Sequence, residues 1–157
     1  MPNWCANNAT ITHDNPAKLD ELVDAYKRGE LMEYFLPTPK DENGELDPAW
    51  YDWCLNNWGT KWDIGGEDAF CERMVTADNT VVLSFDSAWS PPIEFYSFMK
   101  REHGFDIDAS YFEPGMGFCG DWIDGVDDYY EGEWRDFPDH LIEEYNMEEW
   151  YEEDEVV

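Results

Sequence analysis

Carboxylates are the side chains of this sequence that are best placed to do chemistry, and they are concentrated toward its C-terminus. The 157 residues include 38 aspartates and glutamates and nine lysines and arginines, so the formal net charge is -29. About half of this excess follows residue 120, where Arg135 is the one lysine or arginine. Carboxylates in this number can bind a basic partner through complementary charge. The candidate partner-binding residues are Asp121, Asp124, Asp127, Asp128, Glu131, Glu133, Asp136, Asp139, Glu143, Glu144, Glu148 and Glu149.

Aromatic residues are interleaved with these acids. Large rings supply much of the hydrophobic burial of a domain, whereas a charged tail without them stays disordered. The interleaving therefore predicts an ordered surface that holds the carboxylates in place. The rings are Trp122, Tyr129, Tyr130, Trp134, Phe137, Tyr145, Trp150 and Tyr151.

The density of this charge is close to that of duplex DNA, which carries about one charge per 1.7 Å of axis. A compact chain of this length has a radius of gyration of about 15 Å and a diameter of about 40 Å. The 29 excess charges over that span amount to roughly one charge per 1.4 Å. We therefore expect the protein to fit a cationic groove built for nucleic acid. We expect no direct binding to nucleic acid, because both molecules are anionic.

The acidity could also have one of three different origins. Acidic residues hold hydration in proteins from saline habitats, and they can also cover a scaffold without any mimicry. Asp121, Asp124, Asp127 and Asp128 could offer oxygens to calcium, but their spacing departs from the EF-hand loop. The four cysteines have no close pair for a zinc site, so we predict no metal and no cofactor.

A second candidate site is a small pocket rich in tryptophan. A lysine stands between two tryptophans and beside an aspartate, which would place a cation over indole faces. The alternative is structural, with the lysine stem packed on the rings and its head paired to the carboxylate. The residues of this alternative pocket are Asn57, Trp58, Lys61, Trp62, Asp63 and Trp89.

Hydrophobic periodicity predicts the elements that would position these side chains. Val81, Leu83 and Phe85 alternate along a strand at 80–86. Ser90 has the position of an N-cap for a helix at 93–103, which Gly104 would end. Other helices are expected from Asn15-Pro16, at 30–36, at 48–58 and from 136–138, and other strands at 9–12, 69–76, 105–111 and 118–123. The turn at Asp78-Asn79 would join two of these strands, and the strand at 105–111 would have one face in water.

Four segments of the chain resemble the YubB-like family, which plasmids and bacteriophages carry. They are PNWC at 2–5 with Asn7, NWGTKWD at 57–63, AWSPP at 88–92, and Tyr111 with EPG at 113–115. The resemblance covers residues 2–125 and implies a ferredoxin-like domain. It implies no catalytic residues.

The predicted order of strand, helix, hairpin, helix and strand independently fits a ferredoxin-like βαββαβ plan. We predict an α+β fold in which an antiparallel sheet has helices on one face, with an extra Trp-rich helix and an acidic C-terminal elaboration. Residues 1–125 would form the ferredoxin-like domain of YubB type. Residues 126–157 would form an acidic, aromatic extension packed on the same domain.

The function that these features favour is inhibition by DNA mimicry. The sequence contains no G-x-S-x-G, P-loop or H-E-x-x-H motif, so we predict that it is not an enzyme. We expect a phage or plasmid protein in the bacterial cytoplasm, with no signal peptide and no membrane contact. Its partner would be a basic DNA- or RNA-binding host protein, such as a defence nuclease of a restriction or CRISPR system. A homodimer, or a small-ligand or catalytic function of the Trp-rich pocket, stays open.

Overall fold

One antiparallel sheet organises the structure. The computed structural model describes residues 3–74 and 79–155, and within them six strands pair in the order β2-β3-β1-β4-β5-β6. The strands are β1 (Trp4–Thr12), β2 (Phe70–Arg73), β3 (Thr80–Ala88), β4 (Asp106–Glu113), β5 (Phe118–Ile123) and β6 (Val126–Glu131). The helices are α1 (Pro16–Lys27), α2 (Leu31–Phe35), α3 (Trp50–Asn57), α4 (Ile93–His103), α5 (Asp139–Glu144) and α6 (Met147–Glu155). This mixture of one sheet and packed helices confirms the predicted α+β class.

The larger core lies between the sheet and α1 to α4, on what we call the first face. Alternate residues of β1 point to each side of the sheet, and Cys5, Ala9 and Ile11 point to this core. The predicted stripe of α1 is confirmed, because Leu19, Leu22, Val23 and Tyr26 are all buried. The Tyr26 hydroxyl ends within the sheet, where it donates to the carbonyl oxygens of Phe70 at 2.9 Å and Ser84 at 3.1 Å.

The termini of two helices test the predicted caps. Asn15 caps α1, since its Oδ1 accepts a hydrogen bond of 3.0 Å from the Ala17 amide. Gly104 ends α4 in the left-handed conformation at φ 71°. The prediction for Ser90 was wrong, because Pro92 occupies the N-cap position of α4. The Ser90 hydroxyl instead donates to the Gly59 carbonyl at 2.6 Å and so joins two loops.

The opposite side of the sheet, which we call the second face, carries a smaller core. Phe112 of β4 and Cys119 of β5 pack there against Leu141 of α5 and Met147 of α6. The extension therefore covers part of the second face, so helices lie on both sides of the sheet. The strand predicted at 105–111 was expected to have one face in water. This was wrong at Ser110, which the extension buries. Asp106 and Asp108 of the same strand are exposed.

A hairpin that was not predicted adds β6 to the edge of the sheet. Asp124 and Gly125 form its two-residue loop with φ of 51° and 80°, as in the turns that suit tight hairpins. β6 pairs with β5 from Ile123 and Val126 at the loop to Phe118 and Glu131 at the far end. The strand predicted at 69–76 is shorter, at Phe70–Arg73, and the predicted turn at Asp78 lies outside the described residues. None of the helices in the described part of the chain is long and apolar enough to cross a bilayer.

Candidate functional site

The C-terminal acids lie on regular elements that aromatic residues hold in place. Buried Phe137, Leu141 and Met147 anchor the segment that carries α5 and α6 to the second face. Trp134 and Tyr151 stack with ring centroids 5.5 Å apart and planes 8° from parallel. These contacts fix a segment that is otherwise dominated by charge, because each ring removes a large apolar area from water. The carboxylates are thus carried on an ordered surface.

Eleven of the twelve candidate partner-binding acids are exposed, and Asp121 is partly buried. Their elements are contiguous, since β6 pairs with β5 while α5 and α6 pack on β4 and β5. The acids do not share one flat face. On β6, Asp127 and Glu131 point to the first face and Asp128 to the second, because successive strand residues alternate. The acidic surface therefore wraps around the edge of the sheet.

Two tyrosine hydroxyls orient carboxylates of β6. Tyr111 donates to Asp127 at 2.6 Å, and Tyr129 donates to Glu131 at 3.0 Å. Burial, reinforced by the hydrogen bond to Asp127, raises the pKa of Tyr111 well above its usual value. Burial and the bond to Glu131 raise the pKa of Tyr129 to about 12. Both phenols therefore stay protonated and keep donating at neutral pH.

Few cations offset this surface. Among the described residues, Asp124 pairs with Lys100 at 3.5 Å and Glu133 with Arg135 at 2.9 Å. His140 Nε2 also lies 2.6 Å from an oxygen of Asp121. The side chains of Lys100 and Arg135 are 37% and 55% exposed, so water screens their pairing. Most of the negative charge is therefore available to a partner.

A row of polar residues crosses the second face, and the sequence did not reveal it. Strand register places Asp128, Asp121, Ser110, Asn8 and Ser84 side by side from β6 to β3. The Ser84 hydroxyl donates to Asn8 Oδ1 at 2.6 Å, and the side-chain amide of Asn8 donates to the Glu144 carboxylate at 2.9 Å. Ser110 also donates to Glu144. Only the pairing of strands that are distant in sequence brings these residues together.

The residues of the predicted Trp-rich pocket have separate structural roles. The side-chain amide of Asn57 donates to the Trp53 carbonyl at 2.9 Å, near the end of α3. Trp58 is buried, and its Nε1 donates to the Leu36 carbonyl at 3.0 Å. Asp63 accepts from the amides of Met32 at 2.8 Å and Glu33 at 2.9 Å, at the start of α2.

The remaining members of that pocket lie toward the surface. Lys61 Nζ is 4.6 Å from the centroid of Trp62, as the interleaved sequence predicted, and 5.8 Å from that of Tyr51. Trp89 is 43% exposed and has a φ of 70°. Burial raises the pKa of Asp63, and the backbone donors of α2 oppose that rise. The lysine therefore lies over an indole ring, but the pairing of its head with Asp63 is not seen among the described residues, because Asp63 accepts from backbone amides at the start of α2.

The four motif segments described from the sequence meet at one end of the sheet. The Trp89 amide donates to the Asn3 carbonyl at 2.9 Å, and Thr60 Oγ1 donates to the Ala88 carbonyl at 2.7 Å. The buried Glu113 carboxylate accepts from the Gly115 amide at 2.6 Å. The rings of Trp4 and Trp62 are 6.1 Å apart. Strand register also pairs Asn7 with Tyr111, so these dispersed motifs form one contact network, which we call the motif end.

Two adjacent cavities lie on the second face beside the extension. One, of about 480 Å³, opens at the motif end, where Trp4, Glu113 and Trp150 line it. The other, of about 450 Å³, continues along β1 past Asn8 and Glu144. Both are lined by Ala6, Asp86 and Tyr145, so they are adjacent, and we call the two together the groove. Its residues come from both ends of the chain, which is why sequence patterns did not identify it.

Metal and thiol chemistry find little support in the described residues. Among the side chains that the structure describes, which end at residue 152, no three His, Cys, Asp or Glu converge as a metal site would require. Cys5, Cys54, Cys71 and Cys119 are free thiols. Burial raises the pKa of Cys54 to about 11 and that of Cys119 to about 12, so these thiols are poor nucleophiles at neutral pH.

Comparison with known proteins gives little further information. No family model matches the chain, and no curated protein matches it. Among solved structures, the protein api92 from Yersinia pseudotuberculosis, described with the family model DUF1281, is similar to part of the chain. The match has 24% identity and a TM-score of 0.39, and it covers 55% of this chain and 31% of that chain. The chain thus spans less than a third of that protein's length.

Proposed function

We propose that this protein is a non-enzymatic DNA mimic of phage or plasmid origin that binds and inhibits a basic, nucleic-acid-binding host protein. The observation that carries the proposal is the placement of the C-terminal acids on β5, β6, α5 and α6. These elements are packed on the sheet, and eleven of the twelve acids are exposed. A fixed array of charge can replace the phosphates of a duplex, because it needs little further ordering on binding.

The physics of a duplex-binding groove supports this partner class. Such a groove gains affinity by releasing ions condensed on the DNA, and binding weakens steeply as salt rises. An acidic surface that wraps around the edge strand β6 presents charge in several directions to such a groove. The mimic would act in the cytoplasm of the bacterial host, on a defence nuclease or on a transcription or nucleoid protein.

We also propose that residues 4–113 form a ferredoxin-like βαββαβ unit of the YubB-like family. The strand order β2-β3-β1-β4, with α1 and α4 on the first face, supports this assignment. The contacts between the four family-like segments at the motif end support it further, because they make one network from motifs far apart in sequence. On this view β5, β6, α5 and α6 are additions to the unit.

A pull-down from bacterial lysate at two salt concentrations tests the mimicry. We expect it to capture a nucleic-acid-binding protein at low salt, and we expect added duplex DNA or moderate salt to release that protein. The matching variant changes Glu143, Glu144, Glu148 and Glu149 to glutamine. It should weaken binding to the purified partner by tenfold or more, a loss of about 1.4 kcal/mol or more.

The control variant has the same change of charge elsewhere. It neutralises exposed acids on α1 and in loops of the first half of the chain, at Asp14, Asp24, Glu42 and Glu67. Equal weakening by both variants would contradict a localised mimic surface and would indicate general charge attraction. Loss of binding in Lys61→Ala, with no effect of the acid variants, would favour the Trp-rich site instead.

A further inference from the structure

The groove on the second face has aromatic walls at the motif end. Trp4 of β1 and Trp150 of α6 line its larger cavity, and they are 46% and 43% exposed. Tyr145 lies where the two cavities join. Exposed indole faces attract cations, and they attract the planar guanidinium group especially well because it can also stack on them.

Carboxylates lie beside these rings. Asp86 projects from β3 toward the second face, is exposed, and lines both cavities. Glu113 also lines the larger cavity, but its carboxylate is buried and accepts from the backbone amides of Gly115 at 2.6 Å and Met116 at 2.8 Å. Neither carboxylate takes part in a salt bridge with any side chain that the structure describes.

The groove continues past a third carboxylate. Glu144 lines the second cavity, next to Asn8, whose amide donates to it. A partner segment whose side chain enters at the motif end therefore meets further acceptors along β1. These can bind the backbone of that segment or a second cationic side chain on it. An anionic ligand would be repelled by Asp86 and Glu144, whereas a cationic donor gains both charge attraction and a hydrogen bond from them.

We propose that the cavity at the motif end binds the guanidinium group of an arginine on a basic partner protein. The group would stack against Trp4 or Trp150 and donate to Asp86. This inference rests on the proposed function for the class of partner. It adds the side chain that such a partner presents. Arginine is the better occupant than lysine, since guanidinium is more weakly hydrated and stacks on rings.

The test uses the full chain and a peptide with one charge, acetyl-Gly-Arg-Gly-amide, at physiological salt. Two comparison peptides carry citrulline, the neutral isostere, or lysine in place of arginine. Binding is followed by the NMR shifts of the tryptophan indole N–H groups, which resolve Trp4 and Trp150 from the other indoles. We expect the arginine peptide to shift these two signals and to bind at least about threefold more tightly than the lysine peptide.

Variants separate the cavity from general attraction. Asp86→Asn should weaken binding of the arginine peptide by about tenfold, the effect of losing a charged hydrogen bond. Trp150→Leu should weaken it by about threefold. Glu42→Gln changes the net charge equally in an exposed loop and should leave the affinity unchanged.

Three results would overturn the inference: equal weakening by Asp86→Asn and Glu42→Gln, equal binding of the citrulline peptide, or equal binding of the lysine peptide. Asp86→Asn keeps the test informative if Trp150→Leu disturbs α6. The peptide carries no nucleic-acid-binding groove, so this result is independent of the pull-down. If the arginine peptide binds but duplex DNA displaces no captured host protein, the arginine-binding cavity stands and the DNA-mimic function is contradicted.

Discussion

The side-chain amide of Asn8 donates a hydrogen bond of 2.9 Å to the carboxylate of Glu144, 136 residues later in the chain. Asn8 belongs to the central strand β1, and Glu144 ends α5. The same amide group's oxygen accepts from Ser84 at 2.6 Å on the neighbouring strand. The acidic extension is therefore fastened to the middle of the sheet as well as to its edge.

We predict that Asn8→Ala loosens the extension without unfolding the sheet. It removes the donor to Glu144 and the acceptor for Ser84, which should lower the free energy of unfolding by about 1 kcal/mol. Hydrogen exchange of the Ile142 amide in α5 and of the Tyr145 amide directly after it should become faster. Asn43→Ala, in an exposed turn, is the control. Unchanged exchange in α5 would contradict the fastening role of Asn8.

We predict that Gly120→Ala damages the β5–β6 hairpin. A Cβ on Gly120 would overlap the Tyr111 hydroxyl and the Asp128 carbonyl, so the ring that orients Asp127 would have to move. Overpacking of this kind should cost about 3 kcal/mol in urea unfolding. Ile123→Ala, at a half-exposed site on the same strand, should cost much less. Similar losses in both variants would show that the strand, and not this close approach, sets the cost.

We predict that Asp63→Ala destabilises α2 and that Lys61→Ala has little effect on stability. Asp63 accepts from the amides of Met32 and Glu33, and a lost cap costs about 1 to 2 kcal/mol. Asp47→Ala removes a similar bond to the Ala49 amide in an exposed loop, where water can replace it. Chemical denaturation of the three variants checks the order. A larger loss in Asp47→Ala than in Asp63→Ala would contradict it.

We predict a contribution of His103 to the pH dependence of stability. Burial lowers the pKa of His103, whose ring lies 5.2 Å from that of Phe35. The unfolded chain therefore takes up the proton first as the pH falls below about 6.5, and stability is lost between that value and the lower folded pKa. Comparison of wild type and His103→Gln at pH 7.5 and pH 5.5 removes the shared effect of the carboxylates. Identical losses in the two proteins would contradict the prediction.

Local patterns predicted much of the fold. The stripe at Leu19, Leu22, Val23 and Tyr26 identified α1 because helical periodicity needs no tertiary information. The Asp124-Gly125 pair was a hairpin signal that could have identified β6. The β6 residues are all exposed, however, and they lack the apolar alternation that indicates a strand. Ser90 was assigned to a helix cap although its hydroxyl bonds a loop from another part of the chain.

The sites were harder to predict than the elements. The interleaved sequence correctly placed Lys61 over Trp62, because the two are neighbours in the chain. The groove could not be found in this way, since Trp4, Asp86 and Trp150 come from β1, β3 and α6. Strand register and the path of the extension bring them together, and neither is encoded in a short stretch of residues.

The smaller core on the second face has a consequence for how the chain is made. Phe112 and Cys119 are covered by side chains from the segment between Trp134 and Tyr151, which leaves the ribosome later. Until then, a nascent chain that has completed β5 exposes an apolar patch at the centre of an unfinished sheet. A chain in which the sheet has formed but the C-terminal segment has not yet packed is therefore the form most open to chaperones and to aggregation.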